Sequence, residues 1–299
     1  MYAIRQGAHR CRTGFPPLLQ VIIRMAFTYN LSHFCSAGRQ TFSPMQSARQ
    51  VPHLSIVIPA LNEAERLPAS IKSLCSYLSQ QQYAWEIIVV SNGSTDETEQ
   101  VVKHLEAAHS HVHLVVLKDR GKGRAVRAGV ERARGDLIFQ CDADLSVPVA
   151  CLEDFLRLTH DADVVVGSRE APGARRYREP WHRHLMGRVF NRLVQALAVP
   201  GIEDTQCGFK AYRREAAHSL FERQTLTGWG FDVELLYLAR KHALRIRELG
   251  IPWYFDANTR VRPGIDTVSM VWELILIRIR DARGVYDLPR VPAEDALGR

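Results

Sequence analysis

Between Leu54 and Ser168 the sequence alternates short, unbroken apolar runs with stretches of helical spacing, and this rhythm restricts the fold more than any other feature. The apolar runs are LSIVIPA (54–60), WEIIVVS (85–91), HLVVL (113–117), DLIFQCD (136–142) and DVVVGS (163–168). A strand with one wet face alternates apolar and polar residues, whereas these runs are continuous, so both faces must be covered. Between them, Leu67, Ile71, Leu74 and Leu78 recur at helical spacing within 63–78. Asp96 is placed to cap a helix running to about Ala108, and GRAVRAGVERA (123–133) stops at Gly135. The expected fold class is α/β, a mostly parallel central sheet flanked by helices on both faces. Ligands of such sheets lie beyond the carboxyl ends of the strands. That rule gathers Pro59–Glu63, Ser91–Asp96, Asp142–Asp144 and Gly167–Arg169 around one crevice.

With 299 residues the chain is long enough to bury a full core. Its formal charge of +7 and pI near 9.2 favour an anionic partner: phosphate, an acidic membrane surface or nucleic acid. Nucleic acid fits poorly, because no interleaved aromatics or known binding motif accompany the charge. The six cysteines have no CxxC or zinc spacing and read as reduced thiols of a cytoplasmic protein. No apolar run reaches the roughly 18 residues that suggest a transmembrane helix. Residues 1–50 contain arginines but no acid, the first acid being Glu63. They read as a disordered tail, with Met45 a possible true start, or as a targeting or anchoring leader. A catalytic domain is expected over 51–284, with a tail over 285–299.

The chemistry starts at FQCDADLSVP (139–148). Alternate residues of an extended chain point the same way, so Asp142 and Asp144, flanking Ala143, can face one cation; alternatively they are two solvated acids. Oxygen ligands suit Mg²⁺ or Mn²⁺ bridged to substrate phosphates. LNE (61–63) and SNGSTDET (91–98) each close a strand and open a helix, and Gly93-Ser94-Thr95 offers backbone N–H groups near a helix start. KDRGKGRA (118–125) is Gly-rich and basic around Lys122 without being a phosphate-cradling P-loop. Arginines crowd 169–192, where their forks suit phosphate. Asp204 in DTQCGFK orients a sugar or acceptor, serves as base for a hydroxyl acceptor, or caps a turn. Trp229 in GWGFDVELL stacks on a sugar or packs in a lid or core. The last helix, about 265–283, has an apolar face (Val268, Val271, Trp272, Ile275, Ile279) that packs on the body or lies on an anionic bilayer.

In order and spacing, LSIVIPALNE, VVSNGSTDET, KGRAVRAG, QCDADLSVP, VGSR, DTQCGFKAY and GFDVELL resemble the family 2 glycosyltransferases of GT-A fold. Within these, the dolichyl-phosphate (polyprenyl-phosphate) β-glucosyltransferase group is most similar, over roughly 53–283. The resemblance implies an inverting, metal-dependent transferase that moves a hexose, glucose from UDP-glucose, to a polyprenyl or dolichyl phosphate at the cytoplasmic face of a membrane. GDP-mannose or UDP-N-acetylglucosamine as donor, a saccharide hydroxyl as acceptor, and a non-catalytic nucleotide or phospholipid binder are its rivals. It also implies a metal and diphosphate clamp at Asp142 and Asp144, and a donor site at Pro59, Asn62, Glu63, Ser91, Asn92, Lys122 and Ala143. Acceptor phosphate contacts are implied at Arg169 and Arg183, and a closing segment at Arg260 and Arg262. Relatives usually carry Asp before Gly-Ser where this chain has Ser91-Asn92, which bears on recognition of the base.

Overall fold

A computed structural model describes residues 53–256 and 265–287. The strands are β1 (Leu54–Ala60), β2 (Trp85–Asn92), β3 (Val112–Leu117), β4 (Leu137–Gln140), β5 (Val164–Ser168), β6 (Arg175–Tyr177), β7 (Lys210–Arg213), β8 (Ile246–Gly250) and β9 (Pro252–Tyr254). The helices are α1 (Leu67–Leu78), α2 (Thr98–Ala108), α3 (Lys122–Arg132), α4 (Leu152–Leu158), α5 (Trp181–Leu197), α6 (Arg214–Arg223), α7 (Phe231–Lys241) and α8 (Ile265–Ala282).

Seven strands form the main sheet in the order β3-β2-β1-β4-β7-β5-β8, and β6 pairs with β9 separately. All pairings are parallel except those of β7, which runs antiparallel to β4 and β5. The expected α/β class is therefore observed. Every residue of β1, β4 and β5 is buried, as continuous apolar strands between two helical layers must be.

One layer packs Leu67, Ile71, Leu74 and Leu78 of α1 and Phe155 of α4 against Ile56, Ile58 and Phe139. There Phe139 meets Phe155 and Phe209 edge-on, with ring centroids 5.4 and 5.2 Å apart. The opposite layer packs α3, α6, α7 and α8 over Val57, Val90, Val164 and Val166. Residues Phe231–Ala239 of α7 are all buried, including two acids. Glu234 is satisfied by the Thr225 and Leu226 backbone N–H groups and by the Tyr286 hydroxyl. Tyr286 is fully buried.

The face of the last helix that packs is not the one expected from the sequence. Met270, Leu274 and Ile277, at i, i+4 and i+7, pack on the body, while Val268, Trp272 and Ile275 remain exposed. Among the described residues no helix is long and apolar enough to cross a membrane.

Chain order reverses at β1: β2 and β3 continue on one side and β4 lies on the other. The carboxyl ends of β1 and β4 consequently diverge, leaving the crevice in which α/β sheets bind ligands. Pro59–Glu63 and Asp142–Asp144 follow those two strand ends.

Candidate active site

A cavity of about 1410 Å³ opens at this switch point. Its polar end is lined by Pro59, Glu63, Asn92, Lys122, Asp142, Ala143, Asp144, Trp229 and Asp232. It continues past Arg169, Arg183 and Asp204 to an apolar wall formed by Leu185, Met186, Val189 and Leu193 of α5 with Met270 and Val271 of α8.

Strand β4 ends at Gln140, which leaves both aspartates just beyond the sheet. Asp142 is about one-third exposed and accepts an ion pair from Lys122, Nζ to Oδ1 2.7 Å. Asp144 accepts the Ser146 N–H at 3.0 Å. Burial, reinforced by the charge of Asp142, raises the Asp144 pKa. A Cβ on Gly208 would lie 1.9 Å from Asp142 Oδ2, so only glycine leaves room for this carboxylate. Beneath the aspartates, the fully buried Lys210 Nζ reaches Asp232 Oδ1 at 2.6 Å and the Cys207 carbonyl at 2.5 Å. Two buried charges without water are tolerated only when paired in this way.

The donor set fits a hard divalent cation. Asp142 and Asp144 both line the cavity just beyond β4, and among the described residues no group of three or more His, Cys, Asp or Glu side chains is arranged to enclose a metal ion. Asp142 and Asp144 would supply carboxylate oxygens to such an ion, whose usual habit at nucleotide sites is to combine a few carboxylates with phosphate and water.

The acidic loops are tied mainly to each other. Asn62 has a positive φ of 56°. Its Oδ1 accepts the Thr95 N–H at 2.8 Å, and its own N–H donates to the Ser94 hydroxyl at 3.2 Å. Ser91 is fully buried; its hydroxyl donates to Glu99 and accepts from the Ser94 hydroxyl. Neither Asn62 nor Ser91 lines the cavity. β1 and β2 are adjacent parallel strands, so the loops that follow them satisfy one another's polar groups. The Gly93 N–H is likewise engaged, by the Leu117 carbonyl. Asn92 does line the cavity, though its amide bridges the Ala60 carbonyl at 2.9 Å and the Gly121 N–H at 3.2 Å. Glu63 is buried at the rim beside Arg66, whose guanidinium also reaches Asp256 at 2.9 Å.

Asp204 is bound by an arginine. Arg169 grips it through Nε–Oδ2 at 2.6 Å and Nη2–Oδ1 at 2.9 Å, and the Arg169 backbone N–H adds a third bond to Oδ2. Burial pushes the Asp204 carboxyl upward, but the guanidinium outweighs it and holds the group at about 2. Such a carboxylate is too weak a base to deprotonate a hydroxyl. The pair holds the Arg169 guanidinium, which also lies 5.2 Å from the Trp253 ring centre.

The arginine cluster is unequal. Arg176 is neutralised by Glu170 and Glu179, and Arg188 faces Glu170 and Glu203. Arg183 has no ion-pair partner among the described residues. It lies 4.8 Å from the Phe255 ring centre, and burial lowers its pKa. Arg260 and Arg262 fall outside the described residues.

Lys210 lies inside DTQCGFKAY and Arg66 just after LNE, but nothing in either stretch by itself marks these two cations as parts of the site. The hint for Lys210 was a lysine inside the short apolar strand FKAY; for Arg66 it was the i,i+3 spacing from Glu63.

A doubly wound sheet carrying paired aspartates at its switch point, above a cavity with a cationic flank, defines a glycosyltransferase of GT-A type. Residues 55–221 match the family described as "Glycosyl transferase family 2", and the chain belongs to that family. The dolichyl-phosphate β-glucosyltransferase of Homo sapiens is 35% identical over 255 residues, 79% of this chain and 78% of that one. The enzyme of the same name from Dictyostelium discoideum is 32% identical over 79% of this chain and 77% of its own length. Among solved structures, glucosyl-3-phosphoglycerate synthase from Mycobacterium tuberculosis superposes with a TM-score of 0.55 at 22% identity. The match covers 80% of this chain and 81% of that one. That protein was crystallised with Mn²⁺, UDP-glucose and phosphoglyceric acid. The likeness supports the GT-A fold.

Proposed function

We propose that this chain transfers glucose, with inversion, from UDP-glucose to the phosphate of a polyprenyl or dolichyl lipid. The observation that carries the reading is the continuity of one cavity from Asp142 and Asp144, past Arg169 and Arg183, to the apolar wall of α5 and α8. A soluble sugar acceptor needs no such wall, whereas a lipid phosphate needs cations beside apolar surface. The relatives' activity agrees with it.

Asp142 and Asp144 would hold Mg²⁺ or Mn²⁺, which supplies electrostatic stabilisation to the diphosphate as charge develops on it. Lys122, Glu63, Asn92 and Ala143 bound the donor end, and Trp229 offers a face to the sugar. Arg169, held in place by Asp204, and Arg183 receive the acceptor phosphate. A phosphate monoester is largely ionised near neutrality, its second pKa being about 6, so no general base is required. The chain's task is to bring two anions together and align them, the kind of positioning that lowers barriers most cheaply.

Trp181, Leu185, Met186 and Val189 expose an apolar stripe along α5, and Val268, Trp272 and Ile275 expose another on α8. Such faces with nearby arginines suit peripheral contact with an anionic bilayer, which we place at the cytoplasmic side.

The test is a donor-by-acceptor matrix in Mg²⁺ and Mn²⁺, read by nucleotide release and transfer of labelled sugar. UDP-glucose with dolichyl or polyprenyl phosphate is expected to dominate. Turnover only with saccharide acceptors, or preference for GDP-mannose or UDP-N-acetylglucosamine, would overturn the assignment. Nucleotide binding without any turnover would leave a binding protein.

A further inference from the structure

The local geometry around Lys122 is unusual in two respects. Lys122 is the first residue of α3, and a cation there opposes the positive end of the helix dipole. It is also flanked by glycines pressed onto the loop before α7. A Cβ on Gly121 would lie 2.6 Å from the Thr227 carbonyl oxygen, and one on Gly123 would lie 2.6 Å from Phe231 Cβ. The Gly123 N–H donates to the same Thr227 carbonyl at 3.0 Å. This seating delivers the Lys122 ammonium 2.7 Å from Asp142 Oδ1 and 5.4 Å from the Trp229 ring centre. Asp144 and Asp232 add to the negative field at Lys122.

We propose that Lys122 is an exchangeable counter-ion that occupies Asp142 until donor diphosphate draws it away. The inference rests on the reading of Asp142 and Asp144 as a divalent-cation clamp. An ammonium hydrogen-bonded to Asp142 and a divalent ion on the same carboxylate repel strongly at such short range. Before the donor arrives, cation binding must therefore displace Lys122 from its only carboxylate contact among the described residues. A diphosphate in the crevice offers the ammonium other oxygens and at the same time adds ligands for the cation. Donor and cation are thereby coupled, each favouring the other, as linkage requires.

The test measures Mn²⁺ binding to the full chain by loss of the free-Mn²⁺ electron paramagnetic resonance signal, with and without UDP. Without UDP, Lys122→Met and Lys122→Gln are expected to bind Mn²⁺ more tightly than wild type by about tenfold or more. The gain in affinity on adding UDP is expected to shrink in both. Lys122→Arg, which keeps the charge, is expected to follow wild type. A residue that merely supported the fold would lose metal affinity on substitution, not gain it. Neutral variants that are folded by circular dichroism yet bind no more tightly than wild type overturn the exchange, while wild-type binding with UDP keeps the clamp. Absence of Mn²⁺ binding by every protein, even with UDP, removes the clamp and the exchange together.

Discussion

Arg169 and Asp204, 35 residues apart in sequence, meet through two side-chain bonds and one backbone bond, and this pair joins the end of β5 to the loop that precedes β7. The pair holds the Arg169 guanidinium on the cavity lining, where the proposed function places the acceptor phosphate.

Truncating Arg169 to Ala strands Asp204, which is only 5% exposed. Removing one member of a buried pair costs about 3–5 kcal/mol, and the partial exposure of Arg169 lets water recover some of it, so about 3 kcal/mol is expected. Urea denaturation would show it as a lower midpoint at unchanged slope. An unchanged midpoint would mean the pair contributes nothing net.

The same pair sets an acid limit on stability. Asp204 ionises at about 2 in the folded chain against an ordinary value of 3.8. The depressed pKa contributes stability that is fully present above about pH 4 and is lost as pH falls towards 2, worth about 2 kcal/mol in all. Urea midpoints measured down this range should fall less steeply in Asp204→Asn than in wild type. Parallel curves would contradict the assignment.

Gly208→Ala is expected to displace Asp142, since the added Cβ would sit 1.9 Å from its Oδ2. Misplacing a reacting group by an ångström can cost on the order of 10²-fold in rate. A loss of that order in kcat, with circular dichroism unchanged, is the expected outcome; full activity would show that the carboxylate can act from elsewhere.

Trp181→Asp combined with Val189→Asp places two charges on the exposed stripe of α5. Each buried apolar side chain is worth about 1.5–3 kcal/mol, so sedimentation with anionic vesicles should drop more than about tenfold. UDP binding should not change. Undiminished sedimentation would locate membrane contact on another surface.

What could be read from the sequence follows from how local each signal is. Continuous apolar runs are a property of a few neighbours, so β1, β2, β4 and β5 and the α/β class were legible. The position of Asp142 and Asp144 was equally clear, because an acid pair after such a run must lie at a strand end. The helical spacing of Leu67, Ile71, Leu74 and Leu78 identified the face of α1 that packs, since one helix carries that pattern by itself.

Side-chain partners were not legible, because they depend on which strands become neighbours. Asn62 and Ser91 turn to the loops around them once β1 lies beside β2, and Asp204 is claimed by Arg169 once β7 inserts between β4 and β5. Lys210 became a buried cation only when α7 brought Asp232 over the sheet. The sequence by itself determined the first five strands, the helices between them and the strand end at which chemistry gathers, through local burial patterns. Only the tertiary structure decided which charges are free to meet a substrate, because a desolvated charge takes the nearest opposite charge, and distance in space is not written along the chain.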